Sequence, residues 1–210
     1  TLHLWWARRP LPVCRAVIFA SLVPDPLDEQ CPQAFRDAIQ ELLGNNPLYA
    51  PYPDIPYTAI YDPMPDNLRN RLLMFIGKFS PVCQTNMLKG KSTASKEQLS
   101  EGCLIKWESK NDKAVLAKAR KLIWTAYNAE QNPDASFITL SQSFDAAYQA
   151  IEEAESNLYS CIDRHLETAT IKEKETALQT AIDSFQSQMP SVFDPFAGGG
   201  AIPLEAARLG

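Results

Sequence analysis

The residues with the clearest chemical signature lie near the carboxyl end of the 210-residue chain. Residues 191–193 have the composition of a short strand, Asp194 follows, three glycines occupy 198–200, and residues 201–209 have the composition of a helix. Glycine lets the backbone approach a ligand closely, and a turn before a helix presents unpaired N–H groups. A carboxylate at the end of a strand can accept hydrogen bonds from ligand donors. The segment therefore predicts a nucleotide-like binding site.

Two common kinds of nucleotide site do not fit this segment. A phosphate-binding P-loop needs a lysine after its glycines, and here Ala201 follows Gly200. The dinucleotide fingerprint needs a third glycine three residues after the second, where this chain has Pro203. The sequence thus disfavours ATP binding of the P-loop type and the binding of nicotinamide or flavin cofactors.

The stretch 192–210 closely resembles the cofactor loop of amino-methylating DNA methyltransferases, whose pattern is Asp-Pro-Phe-x-Gly-x-Gly. Residues 2–10, 14–16, 105–108 and 115–120 look like the N-terminal region of the large adenine-specific DNA methylases that also contain a zinc ribbon. The resemblance implies that the chain binds S-adenosylmethionine. It also implies that the complete protein methylates adenine N6 in DNA, with partner proteins of a DNA-modification or defence system.

The resemblance also implies which residues line the cofactor. Phe196 would contact it, the glycines would clear space beside its methionine moiety, and Pro195 would fix the turn. Arg8 or Arg9 would meet a carboxylate or a DNA phosphate; alternatively, Trp5 and Trp6 are core anchors and the arginines cap neighbouring carbonyls. The cofactor residues assigned in this way are Asp194, Pro195, Phe196, Ala197, Gly198, Gly200, Trp6 and Arg8.

The base-methylating loop of such enzymes, Asp/Asn/Ser-Pro-Pro-aromatic, does not occur in this sequence. Residues 46–49 are the nearest match, but Leu48 stands where the second proline belongs. We therefore assign no catalytic residue within the chain and expect the loop downstream of Gly210. On this reading the chain is an N-terminal fragment that holds part of the cofactor site and is inactive alone.

The elements that must position the site are predicted to be mainly helical. Residues 1–25 are expected to pack against the cofactor region, 26–189 to form a helical insertion or accessory region, and 190–210 to start the methyltransferase domain. That start is the first strand-loop-helix of a doubly wound α/β (Rossmann-like) fold.

Apolar residues at helical spacing define the predicted helices. The proline-rich stretch 45–65 is predicted to be an ordered loop, because proline interrupts helices and central strands. Residues 89–111 are mostly polar and loop-like. The predicted helices cover residues 13–23, about 31–43 up to Gly44, 68–79, about 112–126, and a hairpin at about 141–188 that Ser141 caps.

The charge pattern leaves alternatives to this function open. The chain has 20 basic and 25 acidic side chains, so it is not covered in phosphate-binding charge. Residues 89–125 hold nine basic and four acidic residues, whereas 134–183 hold ten acidic and three basic residues, read as a solvated face. The basic stretch permits a non-enzymatic helical module that binds nucleic acid or an acidic partner. Methylation of cytosine N4, or of RNA, is a further alternative, since those enzymes share the cofactor loop.

Neither a membrane segment nor a metal site is predicted. Apolar stretches such as 16–23 fall short of the roughly 18 residues that span a bilayer. The five cysteines are widely spaced and lack a C-x-x-C pair, so we expect reduced thiols that mostly pack, in a cytoplasmic protein. Cys161 and His165 have the spacing of paired ligands on a helix, but no further ligand lies near them in sequence.

Overall fold

The computed structural model describes residues 10–44, 54–55, 64–65, 67–165, 167–195 and 199–210. Over these ranges the protein is mainly α-helical, which confirms the expected helical character. The helices are α1 (Leu11–Leu22), α2 (Gln33–Leu43), α3 (Leu68–Ile76), α4 (Pro81–Leu88), α5 (Lys113–Gln131), α6 (Phe137–Asp163), α7 (Thr168–Gln186) and α8 (Ala201–Arg208).

The remaining regular elements are short. Two-residue strands β1 (Asp54–Ile55) and β2 (Met64–Pro65) pair in antiparallel fashion. Single 3-10 turns occur at Ser95–Glu97 and Trp107–Lys110. The prediction of an ordered loop over 45–65 falls mostly outside the described residues.

Local sequence signals explain where several helices begin. Proline occupies the first turn of α1, where its missing N–H costs nothing. The side chain of Asp112 accepts hydrogen bonds from the backbone N–H groups of Ala114 and Val115, at 3.0 and 3.1 Å, and so caps α5. Gly44 ends α2, as its position in the sequence predicts.

Several helix boundaries differ from the prediction, and α5 continues five residues beyond its expected end at about 126. The helix expected over 68–79 ends at Ile76, because the chain turns at Gly77, where an added Cβ would lie 3.0 Å from Ile105 Cγ2. A separate helix, α4, then starts after the cap Ser80. The cap of α6 is Ser136, which accepts from Thr139 N–H at 3.2 Å, so α6 begins four residues before the predicted cap Ser141.

An aromatic cluster forms the centre of the core. Trp124 on α5 is fully buried, and its ring lies 5.7 Å from that of Phe144 on α6 and 5.2 Å from that of Phe185 on α7. A second contact joins Phe19 on α1 to Phe75 on α3 at 5.6 Å. Aromatic side chains bury large areas, so these contacts hold α1, α3, α5 and the base of the α6–α7 pair in one core.

The structure shows no strand at residues 191–193, where we predicted one. Strand backbone groups need a neighbouring strand as hydrogen-bond partner, and no described residue pairs with this segment. Phe193 is 88% exposed. The helix predicted after the glycines does form, as α8.

Candidate functional site

Gly200 opens helix α8 in a conformation that favours glycine. Its φ is 76° and its ψ is 14°, in the left-handed region, where a residue with a Cβ costs about 1–2 kcal/mol. Among the described residues, no atom lies within 4 Å of a Cβ added at Gly199 or Gly200. The turn thus needs glycine at 200 for its backbone conformation rather than to avoid a clash with a described neighbour.

The N-terminus of α8 lies at this open turn. The first bond of the helix runs from Leu204 N–H to the Gly200 carbonyl, at 3.0 Å. No side chain of the described residues caps the helix. The first N–H groups of a helix lack partners within it and carry the positive end of the helix dipole. Such an end suits a carboxylate or another anionic group of a ligand.

Three of the predicted cofactor residues belong to the described part of this turn. Asp194 is partly buried, Pro195 is exposed and Gly200 is partly buried. The other predicted positions lie outside the described residues: Trp6, Arg8, Phe196, Ala197 and Gly198, together with the look-alike stretch 46–49.

A buried ion pair joins α8 to α1. Arg15 Nε donates to Glu205 Oε2 at 2.6 Å, and neither side chain is exposed. Arg15 Nη1 also donates to the carbonyls of Leu104 and Lys106, at 3.0 and 3.4 Å. Arg208, one turn further along α8, forms a second ion pair with the same glutamate. One guanidinium therefore ties three separate segments of the chain together.

A second arginine holds the other end of α8. Arg120 on α5 donates from Nε to the carbonyl of Arg208 at 2.9 Å and from Nη1 to the hydroxyl of Tyr148 at 3.0 Å. A cation beside the last carbonyls of a helix is favourable for the helix dipole. Helix α8 is thus fixed by side chains from α1 and α5.

Arg15 and Glu205 were not among the residues predicted for the site. A signal was present for Arg15, which is the one charged residue in the apolar stretch 13–23, whereas Glu205 shares the stretch 201–209 with Arg208. Charged side chains are almost never fully buried unless they are paired. A lone charge on an apolar helix therefore predicts a buried partner, although not which one.

Several cations of the basic stretch 89–125 are engaged within the fold. Lys106 pairs with Glu101, and Lys121 Nζ lies 2.8 Å from Asp145. Lys110 Nζ lies 4.3 Å from the ring centroid of Trp107. These charges are less available to a nucleic acid than the sequence count indicates.

The cysteines are free thiols, and four of the five are buried. The backbone N–H of Lys78 donates to Cys103 Sγ at 3.2 Å. Burial raises the pKa of Cys103 and lowers the pKa of Lys78. Burial also raises the pKa of Cys31. Thiols with raised pKa values are poor nucleophiles at neutral pH, which fits a packing role.

Cys161 lies in the last turn of α6, and His165 follows the end of that helix. Within the part of the chain that the structure describes, no group of three His, Cys, Asp or Glu residues is arranged to hold a metal ion. The imidazole Nδ1 of His165 lies 3.0 Å from the carbonyl of Ile162. None of the described helices is both long and apolar enough to cross a membrane.

One comparison with known proteins gives a match. A family described as "Protein of unknown function (DUF1156)" matches residues 1–42, which include α1 and Arg15. Neither a curated protein nor a solved structure matches the chain.

Proposed function

We propose that the chain is the N-terminal part of an S-adenosylmethionine-dependent DNA methyltransferase that acts on adenine N6. Residues 190–210 would start its doubly wound α/β domain. One observation carries the proposal: blocks that are far apart in sequence, and that look like such methylases, meet at α8. Arg15 and the Lys106 carbonyl come from two of these blocks, Arg120 comes from a third, and α8 follows the glycine turn.

The turn fits the proposed cofactor. S-adenosylmethionine carries a carboxylate, which suits the uncapped N-terminus of α8, and amino and hydroxyl donors, which suit the carboxylate of Asp194. No atom of the described residues lies within 4 Å of a Cβ built on Gly199 or Gly200, so none of them prevents a ligand from lying close to this backbone. When bound, the cofactor supplies a methyl group on a sulfonium centre.

The chain's own residues would bind and orient that cofactor. Transfer between two bound reactants depends mostly on how well they are positioned, so a rigid support for the turn is useful. The arginines that hold α8 at two points supply that support. The base pocket, the DNA contacts and any partner proteins of a modification system would belong to the rest of the complete, cytoplasmic protein.

Calorimetric titration of S-adenosylmethionine into the full-length protein tests the site. Asp194→Ala should abolish binding, because the carboxylate that orients the ligand is lost. Asp163→Ala, at the exposed end of α6, is the matched control and should bind as the wild type does. Unchanged affinity in the Asp194 variant would reject the assignment.

Two further measurements on the full-length protein distinguish the proposed adenine methyltransferase from a non-enzymatic binding module and from methyltransferases that act on cytosine N4 or RNA. DNA binding that weakens with salt, without any cofactor binding, would favour the non-enzymatic helical module. If methyl transfer occurs, nucleoside analysis of the methylated product distinguishes N6-methyladenine in DNA from N4-methylcytosine or a methylated RNA base. The proposal expects N6-methyladenine.

A further inference from the structure

Arg15 is placed to hold three segments at one point. Its guanidinium is fully buried, and two of its nitrogens donate to Glu205 and to the carbonyls of Leu104 and Lys106. The third nitrogen, Nη2, is buried without an acceptor among the described residues. The planar fork of an arginine fixes its acceptors in both distance and direction.

The ion pair lies close to the glycine turn. Glu205 is the fifth residue of α8, one turn after its first residue, Ala201. Because α8 has only eight residues, its ion pair with Arg15 lies within about one and a half turns of Gly200. The contact with Arg15 therefore constrains the end of α8 that faces the proposed cofactor.

Packing alone does not require a charged pair at this place. Replacing a buried ion pair by apolar residues of similar volume is often neutral or stabilising. An apolar contact lets helices slide or rotate, whereas directed hydrogen bonds to a carboxylate and two carbonyls do not. The polar arrangement thus suits a need for position more than a need for stability.

We propose that Arg15 is the positioning residue of the cofactor site: through Glu205 it sets the place of α8 and of the turn at Gly200. Through the carbonyls of Leu104 and Lys106 it ties the segment before Trp107 to the same point. This inference rests on the proposed function.

Four variants of the full-length protein test the role: Arg15→Met, Glu205→Leu, the double variant Arg15→Met/Glu205→Leu, and Arg69→Met. Arg69 is the matched control, since it also pairs with a carboxylate, Asp25, but at an exposed site. The measurements are the thermal midpoint, the affinity for S-adenosylmethionine, and hydrogen exchange of backbone amides in residues 199–210 without cofactor.

Glu205→Leu should lower the midpoint, because it leaves Arg15 as a buried charge without its carboxylate. Arg15→Met should lower the midpoint less, because Glu205 keeps its ion pair with Arg208. The double variant should recover much of the midpoint. Its affinity should stay about tenfold or more below that of the wild type, and its residues 199–210 should exchange faster, because the supporting contacts are gone. Arg69→Met should change neither affinity nor exchange.

Wild-type affinity and wild-type exchange in the double variant would overturn the inference and leave Arg15 a packing residue. If the double variant does not fold, Arg15→Lys replaces it: lysine keeps the charge but not the fork, so affinity should fall while the fold is retained. Absence of cofactor binding in the wild type would instead overturn the proposed function. Even in that case, hydrogen exchange of the backbone amides in residues 199–210 of the cofactor-free protein shows whether Arg15 positions α8.

Discussion

Glu205 accepts a hydrogen bond from Arg15 at 2.6 Å, across 190 positions of sequence, and both side chains are completely buried. The arginine lies within the segment that matches the family, and the glutamate lies on the helix that follows the glycine turn. The two ends of the described chain therefore share one structural unit, and the glycine turn belongs to the same fold as α1.

Glu205→Ala should lower the free energy of unfolding by about 3–5 kcal/mol, because Arg15 is left as an uncompensated buried charge. Urea denaturation measures this change. Asp145→Ala removes the exposed partner of Lys121 and should cost only about 0.2–1 kcal/mol. Equal losses in the two variants would show that the Arg15 pair is not buried in solution.

Gly200→Ala should lower the free energy of unfolding by about 1–2 kcal/mol, because alanine is strained at a φ of 76°. The neighbouring Gly199→Ala is the control. It has open space for a Cβ and no left-handed φ, so it should be neutral or stabilise by about 0.4–1 kcal/mol. If urea denaturation shows a larger loss of stability for Gly199→Ala than for Gly200→Ala, the left-handed conformation of Gly200 is contradicted.

Trp124→Ala should cost about 3–5 kcal/mol of unfolding free energy, because it removes the central side chain of the aromatic cluster. Ile138→Ala, on an exposed face at the start of α6, should change the same quantity by less than about 0.5 kcal/mol. Chemical denaturation of the two variants compares them directly. If Trp124→Ala lowers the unfolding free energy no more than Ile138→Ala does, the aromatic cluster around Trp124 is not the centre of the core.

Alkaline pH should destabilise the protein through Cys103, whose pKa burial raises above its usual 9.0. Between pH 9.0 and the raised pKa of the folded protein, Cys103 keeps a proton in the folded state that it has released in the unfolded state. The stability that the protonated thiol contributes is therefore complete below pH 9 and is lost as the pH rises through the pKa of the folded protein. Cys103→Ala should lose less stability than the wild type above pH 9. Burial lowers the pKa of Lys78, which acts in the opposite direction, and the charge of the Cys103 thiolate partly offsets that lowering.

Local signals in the sequence were sufficient for several helices. The apolar spacing of α5 and its start near Asp112 are both visible in the sequence, and the structure confirms them. The end of α3 at Ile76 involves partners far along the chain, because the carbonyls of Phe75 and Ile76 accept hydrogen bonds from the N–H groups of Leu104 and Ile105, and a local pattern does not reveal these. Ser136 and Ser141 are both suitable caps, and only the burial of Phe137 and Leu140 selects the first.

The candidate site also combines residues that a local motif indicates with residues that only the fold brings together. The glycine turn is a local motif, so Asp194 and Gly200 could be identified from their spacing alone. Arg15 and Arg120 act on α8 across long sequence separations, and no local pattern pairs them with it. The strand expected at 191–193 needs partner strands, and none of the described residues supplies them.

Photo-crosslinking of methyl-labelled S-adenosylmethionine to the full-length protein, followed by tryptic mapping, tests the central claim most directly. Trypsin cuts after Lys174 and next after Arg208, so the turn lies within one peptide, residues 175–208. The proposed site predicts saturable label in that peptide, displaced by unlabelled cofactor and lost in Asp194→Ala. Label confined to other peptides, or no saturable label, would contradict the claim that this turn binds the cofactor.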